Sequence, residues 1–224
     1  MKWRTRQVSG FLCLVLSVST AMAAPKAHVI SFGKWISAQW NPGFDANEKS
    51  LTIKVRALVV DARVKEYVVG SPHEVTDRLF VARRAFRVND SLPDDSVARW
   101  RWQRGGWLLV DRVTGHIAPI NLPEFDAYYS VASWYRDYVA YCGVGEDGKK
   151  TYAIVAQLNR RKPVLRKQLS EALPDDSAPD SACAIPVWQR DPSRVTFEAT
   201  GVAKQTFSIR GHVVDVVSDA EEDD

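Results

Sequence analysis

Histidine is scarce in this chain, with only His28, His73, His116 and His212. No two stand at metal-ligand spacing, and no His-Glu-x-x-His is present. The segment His73-Glu74-Val75-Thr76-Asp77 alone groups a histidine with carboxylates. It offers a general base beside an acid, or part of a metal site. The same residues follow Gly70-Ser71-Pro72, and a polar turn before a strand at Leu79 is the expected role. Leu-Pro-Asp-Asp-Ser occurs twice, at 92–96 and 173–177. Paired carboxylates beside a hydroxyl suit calcium, but Asp and Ser after Pro also form turns and caps without an ion. Turns are the expectation. The chain has no Gly-x-Ser-x-Gly, no P-loop and no Gly-x-Gly-x-x-Gly. Neither a metal nor a cofactor is expected.

The most distinctive local feature is Arg99-Trp100-Arg101-Trp102-Gln103-Arg104-Gly105-Gly106-Trp107. On a strand, Trp100 and Trp102 share one face, with Arg99, Arg101 and Gln103 on the other. Exposed, the two rings make a stacking platform for a sugar or a peptide, edged by arginine. Buried, they fill the core, which is the commoner fate of Trp. Charge is also uneven. Asn159 to Lys167 carries five bases and no acid, while Asp219 to Asp224 carries five acids and no base. A solvated strand edge and a solvated tail are the expectation. An anion-binding strip that the tail shields is the sharper alternative.

Within the 224 residues, the first 23 read as a cleavable leader. Lys2, Arg4 and Arg6 precede the apolar run Phe11 to Val18, and Ala21-Met22-Ala23 supplies a small-x-small cleavage pattern. Cleavage after Ala23 and export are expected, leaving no transmembrane anchor. The leader holds three of the 30 bases and none of the 27 acids, so the remainder carries 27 of each. A partner chosen by bulk positive charge, nucleic acid above all, is not expected. Cys142 and Cys183 are the two cysteines left after the leader. In an oxidising compartment they are expected to form one disulfide.

The elements that must position these residues read as strands. Leu51, Ile53, Val55, Ala57 and Val59 alternate with Thr52, Lys54 and Arg56. Phe80, Ala82, Phe86 and Val88 share one parity, and Arg83 and Arg87 share the other. Thr151 to Gln157, Arg194 to Phe197 and Gln205 to Val217 are rich in β-branched and aromatic residues. Glu146-Asp147-Gly148, Val113-Thr114-Gly115 and Arg210-Gly211 supply turns between runs. Short helical turns are expected only near Pro93–Ala98 and Lys167–Leu173. An antiparallel all-β domain follows.

A repeat sharpens this reading. Trp40, Phe86, Trp134 and Trp188 are spaced by 46, 48 and 54 residues, and each precedes an apolar strand and polar turn by 21 to 25 residues. A period near 50 residues suits a unit of about four short strands. Trp134-Tyr135-Arg136-Asp137 and Trp188-Gln189-Arg190-Asp191, each leading into an apolar strand, resemble the TolB-type propeller repeat. Leu109-Val110-Asp111-Arg112-Val113-Thr114-Gly115 resembles the strand and turn that close such a blade. The resemblance covers about two blades. It implies a single propeller-like domain over 24–218, with blade-like units near 28–70, 78–121, 126–169 and 183–217 and an acidic tail at 219–224. A β-sandwich is the alternative architecture. The expected function is that of an exported, non-catalytic β-domain binding a protein or a cell-envelope polymer, with Trp100 and Trp102 on the binding face. Carboxylate-dependent hydrolysis of a glycan leaves no local pattern, and a small exported hydrolase is the alternative.

Overall fold

The computed structural model describes residues 28–40, 51–94, 96–127, 130–145, 150–170, 183–191, 193–199, 201–210 and 213–217. The leader, the second Leu-Pro-Asp-Asp-Ser, the Glu146-Asp147-Gly148 turn, His212 and the acidic tail lie outside the described residues. Among those described, every regular element is a strand. They run β1 (Ile30–Phe32), β2 (Ile36–Trp40), β3 (Leu51–Val60), β4 (Arg63–Glu74), β5 (Leu79–Asn89), β6 (Trp100–Asp111) and β7 (Ile117–Ile120). Next come β8 (Ala132–Tyr135), β9 (Tyr138–Val144), β10 (Thr151–Gln157) and β11 (Leu165–Ser170). The last four are β12 (Val187–Gln189), β13 (Arg194–Phe197), β14 (Gln205–Arg210) and β15 (Val213–Val217). All pairings between them are antiparallel.

Three open sheets stand where the repeat predicts four units. The first seven strands share one sheet, a meander from β3 to β7 with β1 and β2 end to end along the free edge of β3. The Gly33 amide still donates to the Ala57 carbonyl between them, at 2.9 Å. The two expected units at 28–70 and 78–121 are therefore continuous. The physical reason lies at Gly70-Ser71-Pro72. Instead of ending a strand in a turn, these residues form an irregularity inside β4, where register shifts between Val69 and His73. Gly70 adopts φ +73°, a conformation that costs glycine little. The chain turns only afterwards, where the Val75 and Thr76 amides donate to the Leu79 carbonyl.

The buried face of the first sheet changes along its strands. At one end Leu58, Val68, Phe80, Ala82, Leu108 and Val110 cluster with Ile30, Phe32 and Ile117. The Arg112 guanidinium lies 4.7 Å above the Phe80 ring, and that of Arg56 lies 4.0 Å above Phe32. At the other end the opposite parity is buried, with Ala38, Val55 and Ala85 packed against Tyr67, Val69 and Trp102. There β2 approaches β6, and the Arg104 guanidinium sits 3.7 Å from the Trp40 ring. Phe86 and Val88, which share the parity of Phe80 and Ala82, are consequently exposed.

The second sheet, in order β11-β10-β9-β8, is buried on both faces. Ala140, Cys142, Ala153 and Val155 meet Val195, Phe197, Phe207 and Ile209 of the third sheet, in order β12-β13-β14-β15. Val139, Tyr141, Ile154 and Ala156 pack beneath Leu122, Phe125, Ala132 and Trp134. Burial on two sides explains why β9 and β10 read as continuous apolar runs with no alternation. The third sheet keeps the alternation, with Thr196 and Thr206 hydroxyls hydrogen-bonded at 2.9 Å on its other face. Lys167 to Ser170 extend β11 as strand, so no helical turn begins there.

Trp134 and Trp188 hold matching places, each in the first strand of a four-stranded meander. Trp134 pairs with Val139, and Trp188 with Val195. The Trp188 indole donates to the Ser133 carbonyl at 3.0 Å, and Cys142 is disulfide-bonded to Cys183 with Cα atoms 6.3 Å apart. Trp40 and Phe86 share no such equivalence, since one closes β2 and the other lies midway along β5.

Candidate functional site

Trp100 and Trp102 begin β6, on the far half of the long β5–β6 hairpin. β4 accompanies β5 only as far as the Tyr67–Ala85 pair, and β7 meets β6 only from Trp107 onward. Between these limits Phe86–Asn89 and Trp100–Gln103 pair with each other as a two-stranded arm. Asn89 fixes its tip. The Asn89 Oδ1 accepts from the Ser91 amide, the Ser91 hydroxyl and the Arg99 amide at 3.2, 2.8 and 3.1 Å. The Asp90 amide donates to the Arg99 carbonyl at 2.7 Å, and Arg101 forms an ion pair with Asp90.

The two tryptophans point to the same side, and their environments differ. Trp102 packs edge-on to Tyr67, with ring centroids 5.2 Å apart, within the Ala38, Val55 and Ala85 cluster. Trp100 is 55% exposed. The Arg87 guanidinium lies 5.3 Å from the Trp100 ring and 5.8 Å from that of Trp102. The exposed platform is thus one indole with one arginine, while the second indole anchors it. Among the described residues no carboxylate forms an ion pair with Arg87, in contrast to Arg84 on Glu66 and Arg101 on Asp90. Phe86 and Val88 are exposed on the opposite side, and Leu92 and Val97 stand 66% and 71% exposed in the tip. Apolar side chains therefore face solvent on both sides of the arm. Arg87 was legible in the sequence as a neighbour of Val88, but only the pairing Arg87–Trp102 places it between the rings.

His73 and its carboxylates do not assemble an acid–base pair. The His73 Nε2 lies 2.9 Å from the Arg136 carbonyl, and its ring stacks on Trp134 at 6.1 Å. Arg112 donates twice to Glu74, at 2.7 Å each, and holds that carboxyl below its usual pKa. Arg78 grips Asp111 through Nε, at 2.9 and 3.0 Å from the two carboxyl oxygens, and through Nη2, and depresses its pKa further. A carboxylate locked to a guanidinium is a poor proton donor near neutral pH. No group of three His, Cys, Asp or Glu that could hold a metal occurs among the described residues. The first Leu-Pro-Asp-Asp-Ser forms part of the arm's tip, apart from Asp95, which lies outside the described residues.

The basic run divides as well. Arg166 is committed to Glu124 at 2.9 and 2.6 Å and covers the Tyr152 ring at 3.7 Å. Arg160 and Arg161 stand on the β10–β11 turn, exposed and outside every ion pair among the described residues. No helix among the described residues is long and apolar enough to cross a membrane. Compared with family models, curated proteins and solved structures, the chain matches none of them.

Proposed function

We propose that the chain is an exported, non-catalytic binding domain that holds a protein partner with the β5–β6 arm. The observation that carries this reading is the arm itself: beyond Ala85 and Trp107 its strands pair only with each other, and both faces present exposed apolar side chains. Exposed apolar groups gathered on one projecting element mark association surfaces. The outer edge of Phe86–Asn89 offers backbone groups to an added strand, with Phe86 and Val88 on one side and Arg87 on the other. Export is supported by the tripartite leader and the Cys142–Cys183 bond, which persists in an oxidising compartment. In this reading the second and third sheets are blade-like units of the TolB-type kind. They form the rigid base on which the first sheet displays its arm.

A second reading, binding of an envelope glycan, rests on the exposed Trp100 ring beside Arg87. Indole faces take sugars by stacking, but the guanidinium already covers part of this one. The arm's other apolar residues have no role in that case, which favours a protein.

Capture from envelope extracts tests the proposal, with the mature chain as bait and Phe86→Ser and Trp100→Ala as comparisons. A partner held by the parent and lost from both variants, with circular dichroism unchanged, is the expected result. Capture indifferent to both variants rejects the arm as the binding face. Turnover of a glycan or ester panel, abolished by changing one carboxylate, rejects the non-catalytic reading.

A further inference from the structure

A cleft opens at the junction of the first and second sheets, remote from the arm's tip. The β6–β7 side of the first sheet meets the second sheet where Trp107 of β6 touches Trp134 of β8, and the cleft lies between β6–β7 and β9–β10. The resulting cavity holds about 730 Å³, within the range of small-molecule sites. Leu109, Ala118 and Ile120 from the first sheet and Val139 and Ala156 from the second give it an apolar floor, while Asn121, Gln157 and Asn159 add polar groups to its lining. Arg160 and Arg161 stand on its wall, and no acidic residue lines it. Two carboxylates beside lining residues in the chain or across a strand pair are already engaged. Asp137 accepts from the Gln157 amide at 2.8 Å, and Glu124 is held by Arg166.

We propose that this cleft binds an amphipathic anion, a single apolar chain carrying a carboxylate head. The apolar body displaces water from the floor, and the head lies against Arg160 and Arg161. Guanidinium groups suit this head because their planar donors match a carboxylate two bonds at a time. Two unpaired arginines over an apolar floor are complementary to such a ligand and to neither a neutral oil nor a bare ion. The acidic tail is the competing occupant. β15 ends at Val217 opposite Thr206, at the disulfide end of the third sheet. The β10–β11 turn lies at the other end of the second sheet, next to Tyr138 rather than Cys142.

Calorimetric titration of the full mature chain with decanoate, below its micellar concentration, tests the site. Saturable one-to-one binding is expected, weakened about tenfold or more with decanol and with inorganic phosphate. An Arg160→Ala/Arg161→Ala double variant should lose about tenfold for decanoate, and Ala118→Trp should block the floor. The exposed turn tolerates the first change if the fold does not tolerate the second. No decanoate binding, or binding indifferent to the double variant, overturns the proposal. Binding seen only after truncation at Ser218 assigns the cleft to the tail and likewise overturns it. Sedimentation of the chain with anionic phospholipid vesicles, lost in the double variant while decanoate fails to bind, moves the ligand to a membrane surface and overturns the free amphiphile.

Discussion

The Trp134 indole meets that of Trp107 edge to face, with centroids 5.3 Å apart, and this pair joins the second sheet to the first. Trp107 is buried, and its cross-strand partners are Arg83 of β5 and Ile120 of β7. His73 also stacks on Trp134 at 6.1 Å, adding β4 to the same joint. Replacing Trp107 with Ala removes one of the two indoles of this contact. A loss of about 3 kcal/mol in urea unfolding is expected, in line with large-to-small changes of buried aromatics. A loss below about 1 kcal/mol would show that the sheets are joined elsewhere.

Arg83 closes the same junction from β5. It is buried, and its guanidinium donates to the Ala127 and Ser130 carbonyls at 2.8 and 3.0 Å. These carbonyls belong to the segment that leads into the second sheet. Arg83→Ala is expected to cost about 3 kcal/mol, because buried acceptors lose charged donors. Arg83→Lys should recover only part of this, since both bonds come from Nη2 at the far end of the longer arginine and an ammonium has no second nitrogen in place of the Nε that donates to the Gly105 carbonyl. Equal unfolding midpoints for Lys and the parent would remove the geometric argument.

How much of this was readable beforehand depends on what each pattern reports. The strand class was legible because β-branched and aromatic runs separated by turn residues carry it locally. The Cys142–Cys183 pair was legible by elimination, and the matching places of Trp134 and Trp188 by their shared Trp-x-Arg-Asp. Phe86 was misleading. Period two shows which residues share a face, and nothing in it shows that the buried face changes between Ala82 and Ala85. Arg83 followed the same logic in reverse, lying on the parity opposite Phe80 and Ala82 while buried against the next sheet's leading segment. The polar turn before Leu79 was legible in His73 to Asp77, and the chain does turn at Val75 and Thr76, but nothing local showed that Gly70-Ser71-Pro72 would bulge inside β4. For the site, the sequence put Trp100 and Trp102 on one face. Their separate environments depend on β2 approaching β6, a contact about 60 positions apart in sequence.

The disulfide closes a separation of 41 residues between β9 and the segment entering β12. The chain-entropy model assigns such a loop about 4 kcal/mol. A Cys142→Ala/Cys183→Ala variant should lose roughly this amount in urea unfolding. Dithiothreitol should lower the parent to the same midpoint and leave the variant unchanged. A reductant effect on the variant would point to some other target.

Acid should loosen the ends of β4 and β6 first. Arg78 lowers the Asp111 pKa, helped by the Val113 and Thr114 amides, and Arg112 lowers that of Glu74. Both carboxyls bind a proton less readily folded than unfolded, so the stability they contribute is complete above their ordinary values near pH 4. It is lost as pH falls through the depressed folded values. The urea midpoint should therefore drop from pH 5 to pH 3. Asp111→Asn should make that drop shallower while lowering the midpoint at pH 7. A parent midpoint flat over this range would mean that these pairs add nothing measurable.

Trp100 and Trp102 separate binding from folding, because two neighbours on one face differ in what surrounds them. Trp102 meets Tyr67 edge-on and packs with Ala38, Val55 and Ala85, so Trp102→Ala opens a cavity beside β2 and β3. A cost of about 2 to 3 kcal/mol is expected, somewhat under the range for a fully buried ring. Trp100 contributes little packing at 55% exposure, and Trp100→Ala should stay within about 0.5 kcal/mol of the parent. Arg87 contacts both rings, so Arg87→Ala tests whether the guanidinium holds Trp100 in place. If it does, indole emission from Trp100 should shift in Arg87→Ala and not in Arg87→Lys, while the unfolding midpoint barely moves. Partner capture that falls with Trp100→Ala at unchanged stability would locate the contact on the exposed ring. Equal destabilisation by Trp100→Ala and Trp102→Ala would place both rings in the core and leave the arm's opposite face, with Phe86 and Val88, as the surface to test.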